Sequence, residues 1–181
     1  NAGSKLVLGK TSSISISGTK NSVKIAWNKV AGADGYRIYL YDYSKGTWKH
    51  LAYTTSRTFT HTGLKAGTRY RYAVKAYILD GEEKVFAGSY TTRSTYTKPL
   101  PPTTVKASNT TTKTTTISWN KCTGATKYRF YRKTSTGWKI LATTESLSYN
   151  VRAMKPGTSY TFAVKPCIVY DSKEIWASSY T

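Results

Sequence analysis

The residues best able to do chemistry in this sequence are its aromatics and its cations: 16 tyrosines, 5 tryptophans and 28 lysines and arginines. Several share one side of alternating runs. Arg37, Tyr39 and Tyr41 form one such set, and Arg71, Ala73, Lys75 and Tyr77 form another, with Phe86 and Tyr90 following. The second half offers Arg129, Tyr131, Lys133, Lys165 and Trp176. Tyrosines interleaved with cations suit two ligand classes. Ring faces stack on the C–H-rich surfaces of sugars, and cations neutralise acidic polysaccharide, wall polymers or nucleic acid. The same pattern also stabilises a solvated sheet face with no ligand, through cross-strand Tyr–Arg and Tyr–Lys pairs. Trp48 and Trp138 each precede by three residues a leucine, Leu51 or Leu141, that reads as inward. Odd spacing puts each indole on the wetter face, either as edge packing or as a sugar-stacking platform. Trp176 stands where the first half has Phe86.

Catalysis has little to work with. The acids are Asp34, Asp42, Asp80, Glu82, Glu83, Glu145, Asp171 and Glu174, mostly in turn-like segments. Glu82 and Glu83 are adjacent, so on a strand they point to opposite faces. Nucleophile-elbow, metalloprotease, phosphate-loop and dinucleotide motifs are absent. The two histidines, His50 and His61, lie in the first half, and the two cysteines, Cys122 and Cys167, in the second. We therefore expect no catalytic residue, no metal site and no cofactor.

The formal charge is +20 and the isoelectric point is near 10, which makes anionic partners worth considering. Residues 1–98 carry 16 basic and 5 acidic residues, and residues 99–181 carry 12 and 3. No Lys/Arg run exceeds two, so no specific nucleic-acid partner is expected. A field this positive discourages self-association, so a monomer is expected. Apolar runs are only a few residues long, and no membrane insertion is expected. Asn1 opens on no signal-peptide pattern, which suggests a mature or excised chain.

The elements that must position these residues come in two copies. VKIAWNKVAGADGYRIY from Val23 matches TTISWNKCTGATKYRFY from Thr115, and GLKAGTRYRYAVKAYI matches AMKPGTSYTFAVKPCI. AGSYT at Ala87 likewise matches ASSYT at Ala177. A spacing of about 90 residues means two whole domains. Pro99, Pro101 and Pro102 interrupt the pattern and predict a stiff linker over 98–102, between domains at 11–97 and 103–181. Residues 1–10 read as a leader or an edge segment. Short runs of period two, punctuated by turns every 8–12 residues, predict about seven strands per copy. The expected class is all-β, two tandem immunoglobulin-like β-sandwiches.

Trp27 followed by Tyr36, then Leu64, Gly67, Thr68, Tyr70 and Val74, resembles a fibronectin type III domain. Trp119, Tyr128, Pro156, Gly157, Thr158, Tyr160 and Val164 carry the same resemblance in the second copy. The wording around Trp27 is similar to repeats in large secreted or surface proteins of Gram-positive bacteria. The resemblance implies core roles for Trp27, Trp119, Tyr36, Tyr128 and Leu64, and tyrosine corners at Tyr70 and Tyr160. It also brings Cys122 and Cys167 to one pole of the sandwich. A disulfide there is topologically allowed and would add about 3–4 kcal/mol; two free, half-buried thiols are the alternative.

The expected function is a non-catalytic, extracellular spacer and interaction module that positions neighbouring modules of a larger chain. The alternatives are a carbohydrate-binding module using exposed Trp and Tyr, and a cationic surface adhesin for acidic polymers or a protein.

Overall fold

The computed structural model describes residues 8–181. The described residues form fifteen strands and no helix. They divide into two compact units. The first runs to Thr95, the second from Tyr96 to Thr181, and the short segments 19–21 and 64–68 group with the second.

The first unit has two sheets. β1 (Ser15–Gly18), β2 (Val23–Ala26) and β5 (Thr58–His61) form one, in the order β1-β2-β5. The other has the order β4-β3-β6-β7, from β3 (Gly35–Asp42), β4 (Thr47–Thr54), β6 (Arg69–Asp80) and β7 (Glu83–Phe86). β8 (Thr91–Tyr96) also pairs with β6. In the second unit β9 (Val105–Ser108), β10 (Thr115–Trp119) and β13 (Ser148–Val151) repeat the first sheet. β11 (Lys127–Thr134), β12 (Gly137–Thr144), β14 (Phe162–Tyr170) and β15 (Lys173–Trp176) repeat the second, in the order β12-β11-β14-β15. Each unit is thus a β-sandwich, as expected.

Period-two alternation sorts the side chains. Val23, Ile25, Ile38, Tyr72 and Val74 point inward and are buried. In the second unit Ile117, Trp119, Tyr128, Phe130, Val151 and Val164 form the core, with Leu141, Tyr149, Met154 and Phe162 packed against it. Trp27 and Trp119 are core residues, each edge-on or tilted against a tyrosine, at 5.2 Å from Tyr36 and 5.7 Å from Tyr128. Leu64, Tyr70 and Tyr160 are half-buried at the rim. The Tyr160 hydroxyl accepts the Lys155 N–H at 2.9 Å, the corner geometry expected of it. Leu8 and Thr11 are buried, and the Thr11 hydroxyl donates to the Val74 carbonyl at 2.7 Å. The chain is therefore already packed at Leu8; the leader reading for residues 1–7 falls outside the described residues.

The cysteines are free. Cys122 lies in the core, while Cys167 stands opposite Lys127 and Trp176 on the outward register of β14. Cys122 thus packs inward from the loop between β10 and β11 while Cys167 faces outward from β14, and the allowed disulfide does not form. Burial pushes both thiols above their ordinary range, which lowers their thiolate fraction.

The first copy solves the Cys167 position differently. Tyr77 lies across Gly35, so a Cβ on Gly35 would clash with the Tyr77 hydroxyl and ring. The second copy pairs a long residue, Lys127, with a small one, Cys167. We expect Gly35→Ala to cost about 1–3 kcal/mol by overpacking. A double-mutant cycle with Tyr77→Cys, read by urea unfolding, should show favourable coupling between the two changes; strict additivity would refute the clash.

Burial of His61 holds its imidazole below the usual histidine range. Its Nδ1 lies 3.0 Å from the Tyr72 hydroxyl, and Phe59, Tyr70 and Tyr72 surround the ring. The unfolded chain then takes up a proton more readily than the folded one. The His61 contribution is full above about pH 6.5 and declines as pH falls from there towards the lower folded value. Melting curves between these limits should show that slope, and His61→Gln should remove it.

Candidate functional site

The candidate site is the outward face of the β4-β3-β6-β7 sheet. Arg37, Tyr39 and Tyr41 alternate outward on β3, opposite Tyr53, His50 and Trp48 of β4. A β-bulge at Leu51 sets this register: Ile38 faces Ala52, while Tyr39 faces His50. The extra residue keeps both Leu51 and Ala52 half-buried and turns Tyr53 outward. The same bulge occurs at Leu141. Both leucine–tryptophan spacings thus put the indole outward, as expected. The outward turn of Tyr53 was not legible, because a bulge breaks simple alternation.

Cations and rings interlock across this face. The Arg37 guanidinium lies 4.9 Å from the centre of Tyr39 and 5.5 Å from both Tyr53 and Phe86. Arg71 lies 5.5 Å from both Tyr41 and Trp48, and Lys84 5.0 Å from Tyr53. Such contacts are worth about 0.5–2 kcal/mol each. Edge-to-face ring pairs continue the layer, from Tyr41 through Trp48 to Tyr90. Trp48 is therefore half-buried rather than an open platform. Between these groups lies a cleft of about 150 Å³, floored by Ala73 and lined by Tyr39, Trp48, Lys75 and Tyr90. The Lys75 ammonium stands 5.9 Å from the Tyr90 ring.

The second unit repeats the arrangement with different flanks. Arg129 stacks at 4.1 Å on Trp176, whose indole N–H donates to Glu174 at 2.9 Å. Glu174 also pairs with Lys127, and these two contacts hold its carboxyl below the usual range. One ring face of Trp176 is thus occupied by Arg129. Trp138 lies 5.1 Å from Tyr180, and Tyr180 lies 5.7 Å from Tyr131. Tyr180 is a site residue that alternation alone missed; the matching AGSYT and ASSYT segments were its signal.

Asp34 and Asp42 are held by backbone amides. The Asp34 carboxylate accepts the Leu79 N–H at 2.7 Å, a link that Thr126 makes to Val169 in the second unit. Asp42 accepts from the Ser44 N–H, the Ser44 hydroxyl and the Lys45 N–H, which lowers its pKa. No cluster of metal-binding side chains occurs among the described residues, and none of their helices could cross a membrane, since there are none.

Comparison with known proteins fits this geometry. The model of the fibronectin type III domain matches residues 11–89. The first unit belongs to the fibronectin type III family. The second shares its strand order and repeat, so the chain is a tandem of two such sandwiches. A two-domain fibronectin type III segment of chicken tenascin superposes with a TM-score of 0.50 at 21% identity, covering 96% of this chain and 99% of that one. Chitinase A1 of Niallia circulans is 32% identical over 81% of the chain, and Exoglucanase B of Cellulomonas fimi is 32% identical over 83%. The chain spans only 21% and 14% of those two proteins.

Proposed function

We propose that this fibronectin type III tandem is a non-catalytic spacer and interaction module of an extracellular bacterial protein, and that it positions neighbouring modules. The observation that carries this reading is the extent of the match. The chain aligns with only 21% and 14% of two proteins named for degrading polysaccharides. The chemistry supports it. Asp34, Asp42 and Glu174 are occupied by backbone amides or by a lysine, and the cleft holds a lysine but no acid. General acid–base hydrolysis needs a pair of carboxyl groups facing one bond.

Two assays test this. The isolated chain should release no reducing ends from chitin or cellulose above a blank; any turnover that survives repurification overturns the non-catalytic role. In the full-length protein, replacing the tandem with a flexible Gly/Ser linker of equal residue number should lower activity on insoluble substrate more than on soluble substrate. Equal activity on both would overturn the positioning role.

A further inference from the structure

The five residues that line the first cleft are Tyr39, Trp48, Ala73, Lys75 and Tyr90. All five recur in the second unit, as Tyr131, Trp138, Ala163, Lys165 and Tyr180. The offset changes from 92 to 90 because the β11–β12 turn is two residues shorter than the β3–β4 turn. Arg37 also recurs, as Arg129, but most of their other neighbours do not. Tyr41 becomes Lys133, His50 becomes Ile140, Tyr53 becomes Thr143, Arg71 becomes Thr161 and Tyr77 becomes Cys167. If packing alone kept the five, they would vary with the rings they pack against.

Charge gives a second, independent observation. Arg37 stands directly opposite Lys75, and Arg129 directly opposite Lys165. Like charges facing each other across strands destabilise a sheet. The outward positions of β3, β4 and β6 hold no carboxylate to offset them. In the second unit the outward Glu174 is already taken by Lys127. Both units therefore keep a lysine that has no carboxylate on the strands beside it, Glu174 being paired with Lys127.

We propose that each unit carries one subsite for an acidic sugar residue of a polysaccharide, with the aromatic walls against the ring and the Lys75 or Lys165 ammonium on its carboxylate. A cavity of about 150 Å³ accommodates a six-membered ring such as benzene. Single-stranded nucleic acid is the other polyanion that stacks on aromatics. It fits less well, because Tyr41 and Tyr90 meet Trp48 at 66° and 81° rather than leaving a parallel slot for a base. The inference goes beyond the positioning role and is read by a different measurement, so either can fail alone.

The test is calorimetric titration of the whole chain with polygalacturonate at about 0.15 M salt, where long-range charge effects are screened beyond about 8 Å. A neutral glucan and an oligothymidylate serve as comparison ligands. The double variant Lys75→Gln/Lys165→Gln is set against Lys24→Gln/Lys106→Gln, which removes the same charge from exposed positions on the other sheets. We expect the first to weaken binding about tenfold or more and the second less than about twofold, as for loss of a charge-assisted contact. Equal losses would reduce the interaction to net charge and overturn the proposal. So would absent polygalacturonate binding, equally tight binding of the neutral glucan, or tighter binding of the oligonucleotide.

Discussion

Phe130→Ala should destabilise the second unit by about 3–5 kcal/mol, the largest single effect expected in this chain. Phe130 is fully buried. Its ring lies nearly parallel to Trp119, at 5.7 Å and 12°, and to Phe162, at 5.4 Å and 16°, and Tyr149 closes a third side at 5.0 Å. Truncation removes the middle of this stack. The strands around it pair on both edges, so the cavity has little room to collapse. Urea unfolding followed by tryptophan fluorescence is the measurement. A loss below about 1 kcal/mol would mean that the stack repacks around the gap.

Tyr36→Phe should cost the first unit about 1–3 kcal/mol, although it removes only one oxygen. The Tyr36 hydroxyl accepts the N–H of Val30 at 3.0 Å, and both residues are buried. Without the oxygen, that amide is left buried and unpaired, which costs more than the net worth of an ordinary hydrogen bond. Tyr128 makes the same bond to the Cys122 N–H, also at 3.0 Å, so Tyr128→Phe should reproduce the loss in the second unit. Chemical denaturation of both variants checks this. An effect of a few tenths of a kcal/mol would show that water reaches the freed amide.

These two effects differ in how far they could be seen in advance. The resemblance to a fibronectin type III domain implies core roles for Tyr36 and Tyr128, but not the hydroxyl's partner. That partner depends on how the turn after β2 or β10 folds back by six residues, and a turn's path is not a periodic signal. The ring stack on Phe130 was equally hidden, since Ile38 holds that place in the first copy and nothing in the alternation separates an aromatic core layer from an aliphatic one.

The amino-acid sequence by itself determined the strands, their turns, the doubling of the domain and the side of the sheet on which Trp48 and Trp138 stand. These follow from period-two alternation and from a repeat of about 90 residues, both local patterns that survive without knowledge of contacts. Only the tertiary structure decided which outward residues meet. The bulges at Leu51 and Leu141 rotate the strand beyond them and bring Tyr53 to Arg37. Strand pairing across the sheet places Ala73 and Lys75 between Trp48 and Tyr90. The cysteines show the same division. The resemblance brings both near one pole, but Cys122, in the loop between β10 and β11, packs into the core, while the register of β14 sets Cys167 on its outward side, and both thiols stay free.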